Sequence, residues 1–277
     1  MIRDGFDLTY LSFGAGVQST ALLALSALNT PGVPRVDVAI FADTGDEPGW
    51  VYEHLARMKE WAAPRGVEVL TVQKGTISED IYNRHVTGTL TRFAMIPLWT
   101  RGDDGRAAPL RRQCTKDYKI APIEQKVREL LGYTRGQHVK KRARGLIGIS
   151  TDEIQRCKPS RTPWVTSCWP LIDLGHNRAR CLQTIRELGL PVPKRSACRF
   201  CPYKTDREWR ELRESPEEWA KTLAFDALIR DMSRSGMKRP TYLHRSLKPL
   251  AEVDLEDPQA RLFREGWEDE CEGMCGV

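Results

Sequence analysis

The chain has 277 residues, 40% of them hydrophobic and 29% charged, with a formal net charge of +6. This composition specifies a soluble globular protein and excludes collagen-like, coiled-coil and disordered chains. No apolar run approaches the roughly 18 residues a membrane helix needs. The longest such patch, Ala21 to Leu28, is interrupted by Ser26, and Met1-Ile2-Arg3-Asp4 has no signal-peptide character, so a cytoplasmic location with no membrane partner is expected.

In chain order, Leu8 to Ser12 reads as a buried strand, followed by a glycine-bearing turn and a helix over Ser19 to Asn29. Val36 to Phe41 is a second strand. Trp50 to Ala63 is a second helix with Trp50, His54, Met58 and Trp61 at helical spacing. Val67 to Val72 is a third strand. Residues 85–113, with Gly88, Gly102, Gly105 and two prolines, read as a long loop or active-site cover. A helix over Ile120 to Leu131 has Pro122 in its first turn and Gly132 as its stop. Gly145 to Ile149 is a strand, and Trp164 and Trp169 flank a further expected strand. From about residue 200 the pattern turns helical, with Ser215-Pro216-Glu217-Glu218 as a capping box opening a helix to about Met232.

Strands alternating with helices predict an α/β fold with a doubly wound, mainly parallel sheet, Rossmann-like, and ligands at the carboxyl ends of its strands. We divide the chain into a nucleotide-binding domain over 1–200 and a helical C-terminal region over 201–277 that ends in an acidic, cysteine-containing tail.

Charge is unevenly spread. Residues 251–277 hold nine acidic residues against two arginines, whereas residues 84–144 hold 15 Lys/Arg against five Asp/Glu. Phosphate-bearing partners, including nucleic acid, account for such a basic segment. Lys140, Lys141, Arg142 and Arg144 form a run available to a polymer backbone; a solvated face is the plainer reading of that run. Eight cysteines in a cytoplasmic chain point to metal or redox chemistry rather than to disulfides.

Three segments carry the chemistry. In Ser12-Phe13-Gly14-Ala15-Gly16-Val17-Gln18-Ser19-Thr20, glycines allow close backbone approach to a phosphate, and helix N-terminal amides with the Ser19 and Thr20 hydroxyls can donate to it. Asp43-Thr44-Gly45 ends the neighbouring strand, where Asp43 can meet a ribose, a base edge or a metal. Cys114 lies among cations that include Lys119, and Cys198-x-x-Cys201 follows 84 residues later. A C-x-x-C turn suits zinc or an iron–sulfur cluster.

Together these segments resemble the PP-loop, or adenine nucleotide α-hydrolase-like, superfamily, and within it the phosphoadenylylsulfate and adenylylsulfate reductases. Ser12 to Thr20 is similar to a PP-loop, and Asp43-Thr44-Gly45 to the family's DTG motif. Cys114, Lys119 and Pro122 fall in register with the family's first cysteine, lysine and proline. Gly148 to Arg156 resembles its G-x-R-x-x-E-S-x-x-R segment, and Trp169 to Asp173 its following P-L strand. The departures are Gln18 where aspartate is common, Thr115 for the second cysteine, Tyr118 for an arginine, and Ser150 for the phosphate-binding arginine. The family's C-terminal cysteine motif survives only as a distant echo in Cys271 to Val277.

The resemblance implies a nucleotide held by Ser12, Gly14, Gly16, Gln18, Ser19, Thr20, Asp43, Thr44 and Gly45, and a [4Fe–4S] cluster on Cys114, Cys198 and Cys201 with one iron lacking a protein thiolate. It further implies ATP, with Mg2+, as cofactor, and Lys119, Arg156, Asp43 and Cys275 as catalytic candidates. The function expected is ATP-dependent sulfur transfer to a nucleic acid or nucleotide, the sulfur coming from a donor protein or sulfide. Adenylylsulfate or phosphoadenylylsulfate reduction is the alternative, and a non-catalytic nucleotide-binding module a third. A structural zinc on Cys198, Cys201, Cys271 and Cys275, and a homodimer, stay open.

Overall fold

Residues 5–87 and 96–256 are described by the computed structural model. The strand β1 (Leu8–Ser12) lies at the middle of a five-stranded sheet. Its neighbours are β2 (Val38–Asp43) and β6 (Ala143–Ile147), with β3 (Glu68–Gln73) and β7 (Val165–Cys168) at the edges. The order is β3-β2-β1-β6-β7 and every pairing is parallel. The expected doubly wound α/β architecture is therefore present.

Alternation along the central strands explains why both faces of the sheet are covered. Leu11, Phe13, Ala39 and Phe41 join one core, under α1 (Val17–Ala27), α2 (Gly49–Ala62) and α6 (Arg178–Glu187). Tyr10, Val38, Ile40 and Ala42 join the other, under Ile123 and Val127 of α4 (Ala121–Leu130). Every residue of α1 is buried, as befits a helix that is apolar on nearly all sides. On α2 the buried stripe is Val51, His54, Leu55, Met58 and Ala62, while Trp50 and Trp61 flank it half-buried.

A third core joins α3 (Ile77–Thr87) to the C-terminal helices α7 (Asp206–Arg213) and α8 (Pro216–Leu228), through Ile77, Tyr118, Phe200, Trp209 and Phe225. The segment expected as a loop over 85–113 includes an antiparallel pair, β4 (Trp99–Arg101) with β5 (Ala107–Pro109), and Trp99 bridges Tyr242. Residues 88–95 lie outside the described residues.

Two expectations are corrected. Trp169 to Asp173, a strand by the resemblance, is not one: α5 (Pro170–Asp173) is a helical turn with Pro170 at its first position, where a fixed φ and a missing N–H favour helix entry. The strand expected between Trp164 and Trp169 is β7. At α8 the Ser215 hydroxyl makes no capping bond, and the helix ends at Leu228 rather than Met232. Glu218 faces Arg199 instead, at 3.0 Å. The capping box belongs to α7, between Thr205 and Glu208. No helix among the described residues is long and apolar enough to cross a membrane.

Candidate functional site

The sheet order reverses between β1 and β6, and in such sheets ligands sit outside the carboxyl ends of the strands at that point. Here the crevice is bounded by the loop after β1 and by Gly148 to Arg156 after β6. Ser12 closes β1; Ala15 holds a left-handed backbone at φ 57, flanked by Gly14 and Gly16, so that successive amides turn toward one side. Gly16 caps α1, with its N–H donating to Ser19 Oγ at 3.2 Å.

Gln18 is buried, at 1% exposure. Its amide nitrogen donates to Ser150 Oγ at 3.4 Å and Glu153 Oε2 at 3.2 Å, and its oxygen accepts from Arg178 Nη1 at 3.3 Å. The Thr20 hydroxyl points the other way, to His54 Nε2 at 2.9 Å. Burial, helped by Arg57, lowers the His54 pKa to about 4, so the imidazole is neutral at physiological pH. Arg156 pairs with Glu153 one helical turn away.

The loop after β2 is a compact device. Asp43 Oδ1 accepts from the Gly45 N–H and the Tyr52 hydroxyl, each at 2.8 Å. Gly45 has φ +75, and a Cβ there would lie 2.6 Å from Thr76 Oγ1, so glycine is required. Asp46 accepts from the Ser78 N–H at 2.8 Å and the Ser78 hydroxyl at 2.7 Å at the start of α3. Burial raises the Asp46 pKa despite these bonds. Thr44 donates to Glu47 at 3.2 Å and meets Cys198 Sγ at 3.3 Å. Glu47, 1% exposed, lies 3.5 Å from Lys119 Nζ and 3.9 Å from Cys198 Sγ.

Cys114, Cys198 and Cys201 line one small, mainly apolar pocket, together with Thr44, Arg112 and Lys119. Lys119 arrives there from a π-helical stretch, Thr115–Ile120, whose wide turn buries Thr115, Tyr118 and Lys119 alike. The Tyr118 hydroxyl donates to Asp80. Cys198 and Cys201 are joined by a turn, Cys201 N–H to the Cys198 carbonyl at 3.0 Å. Burial, then Glu47, pushes the Cys198 thiol pKa well up, against the pull of Lys119.

The cluster that the resemblance implies would take its thiolates from these three cysteines, which come from two distant segments; among the described residues no group of three or more His, Cys, Asp or Glu is placed to hold a metal ion. Cys157, Cys168 and Cys181 lie away from this cavity and form no disulfide. Cys271 and Cys275 lie outside the described residues. The run from Lys140 to Arg144 sits at the amino end of β6, opposite the crevice, with Arg142 and Arg144 over the Phe6 ring at 5.0 and 4.3 Å.

The structure thus brings Ser12 to Gln18, Ser150 to Arg156 and Asp43 to Gly45 to one sheet edge, with the thiol cavity adjoining through Thr44. Sequence reasoning misses Tyr52, Glu47 as the partner of Lys119, and Arg178. Arg178 stands 160 residues from Gln18, and no spacing signals that meeting.

Among solved structures the chain is similar to the phosphoadenylyl-sulfate (PAPS) reductase from Candida auris, phosphate complex, with 18% identity over 68% of this chain and 76% of that one and a TM-score of 0.41. No family model and no curated protein matches.

Proposed function

We propose that this chain is an iron–sulfur PP-loop enzyme that adenylates a nucleic acid or nucleotide with ATP and replaces the activated oxygen by sulfur. The observation that carries the reading is the convergence of Cys114, Cys198 and Cys201 on one cavity that also holds Lys119 and opens beside the loop ending β2. Three thiols are the donor type that an iron–sulfur cluster takes, and Cys114, Cys198 and Cys201 would hold it. When bound, the cluster supplies an iron without a protein thiolate at which an exogenous sulfur can rest.

The rest of the work falls to this chain's own groups. Amides of the loop from Gly14 to Val17 not already taken by Ser19 would bind phosphate oxygens as the acceptor oxygen attacks the α-phosphorus and pyrophosphate leaves. Asp43 orients the nucleoside. Lys119, held by Glu47, stabilises charge on the phosphate as sulfide-level sulfur from a donor displaces AMP. Arg112, which lines the cavity, engages the polymer backbone together with Arg111 and Lys116 nearby in the chain.

Anaerobic purification tests this directly. A brown protein with broad visible absorption is expected, bleached by Cys114→Ala, Cys198→Ala or Cys201→Ala. Colourless protein with stoichiometric zinc overturns it. The reductase reading is favoured by the register of Cys114, Lys119 and Pro122 with that family. It prevails if calorimetry shows adenylylsulfate or its 3′-phosphate binding far more tightly than ATP, with Cys275 then the attacking thiol.

A further inference from the structure

We infer that Arg178 is the phosphate-binding cation of the nucleotide crevice; this rests on the proposal that the crevice holds a nucleotide. Ser150 supplies no charge there. It is fully buried, and its hydroxyl donates to Asp152 while receiving the Gln18 amide. Arg156, the next cation along the chain, is ion-paired with Glu153, both side chains about nine-tenths buried.

Arg178 reaches the same place from another element. It is the first residue of α6, and its backbone N–H is held by the Asp152 carboxylate at 3.1–3.2 Å. The preceding Asn177 caps the helix by accepting from the Arg180 N–H at 2.8 Å. The main chain of Arg178 is therefore fixed to the loop after β6, while its guanidinium reaches Gln18 at the start of α1. That places it across the point where the sheet order reverses, beside the amides that open α1.

The Gln18 oxygen fixes where the guanidinium points. Planar, fork-shaped N–H donors in that position match two oxygens of one phosphate. The ligand class is the 5′-phosphate chain of an adenine nucleotide. In this chain the cation is delivered by α6, and position 150 serves to align Gln18.

Calorimetry of the full chain with ATP, inorganic pyrophosphate and adenosine tests this. Arg178→Ala and Arg178→Gln should each weaken ATP and pyrophosphate about ten- to a hundredfold and leave adenosine affinity and the melting temperature near wild type. Arg178→Lys should recover part of the loss. Arg180→Ala, on the same helix but paired with Glu187 at 3.0 Å, should bind like wild type. If both Arg178→Ala and Arg178→Gln bind ATP and pyrophosphate as tightly as wild type, Arg178 has no such role while the nucleotide reading stands. If wild type binds none of the three ligands, the nucleotide reading falls and this inference with it.

Discussion

Gln18 and Ser150, 132 residues apart, meet across the crevice with the amide nitrogen 3.4 Å from the hydroxyl oxygen. Both are departures from the family pattern that the sequence resembles, and they are departures that fit each other. An acid at 18 would turn a carboxylate toward Glu153, where the amide now donates at 3.2 Å.

Gln18→Glu is therefore expected to destabilise the chain by about 1–3 kcal/mol at neutral pH, since two donated bonds disappear and two carboxylates face one another. Arg178 already bonds the neutral oxygen, so it offsets only part. Like-charge repulsion raises a carboxyl pKa in the folded state. The cost should hence be full above that raised pKa and shrink as pH falls through it toward the ordinary glutamate value of about 4.3. Urea melts of both proteins across that range decide it; a difference that grows on acidification is the contrary result.

Acid should also weaken the wild-type fold. Burial holds the pKa of His54 and of His244 at about 4, below the ordinary 6.5. Above pH 6.5 both states are neutral and this contribution is complete. Between 6.5 and 4 the unfolded chain takes up protons that the folded one refuses, so stability declines by on the order of 3 kcal/mol per histidine. His54→Gln should flatten part of that slope. A pH-independent midpoint from 7 to 4.5 would contradict the burial argument.

Gly45→Ala carries two separable penalties. The left-handed backbone costs about 1–2 kcal/mol for any L side chain, and the new Cβ meets Thr76. Adding Thr76→Ala should recover the second and leave the first. Full recovery in the double variant would show that the backbone at 45 is not constrained.

Two groups of cations can be told apart by salt. Neutralising Arg111, Arg112 and Lys116 should weaken nucleic-acid binding and lower the log–log salt slope by about 0.7–0.9 for each phosphate no longer neutralised. Neutralising Lys140, Lys141, Arg142 and Arg144, at the far end of the sheet, should change turnover little. Filter-binding titrations with both variants at several salt concentrations give the comparison, and equal losses from the two would argue for a polymer wrapped around both ends.

The central strands are legible because β1 and β2 are nearly continuous apolar runs, the signature of strands buried on both faces. The loop after β1 is legible because glycine and hydroxyl residues have a local reason to sit at a helix entry. By contrast α3 escapes a periodicity reading. Ile77 and Ile81 are its buried apolar contacts, and its entry is held by Asp46, 32 residues away from Ser78. The pairs Lys119–Glu47, Gln18–Arg178 and Thr20–His54 are likewise meetings between elements. Each residue looks ordinary in its own segment, and its role arises only once the sheet has set the loops side by side.

The loop from Asp43 to Glu47 is anchored at nearly every step: Asp43 by Tyr52, Thr44 against Cys198, Asp46 by Ser78 and Glu47 by Lys119. It works as a ruler between the crevice at the strand ends and the thiol cavity. Lengthening or shortening it by one residue would throw both ends out of step, whereas exchanging a single side chain disturbs one graduation. The span between the two sites is thus set by the length of this loop, and anyone seeking to change that span should vary loop length before side-chain identity.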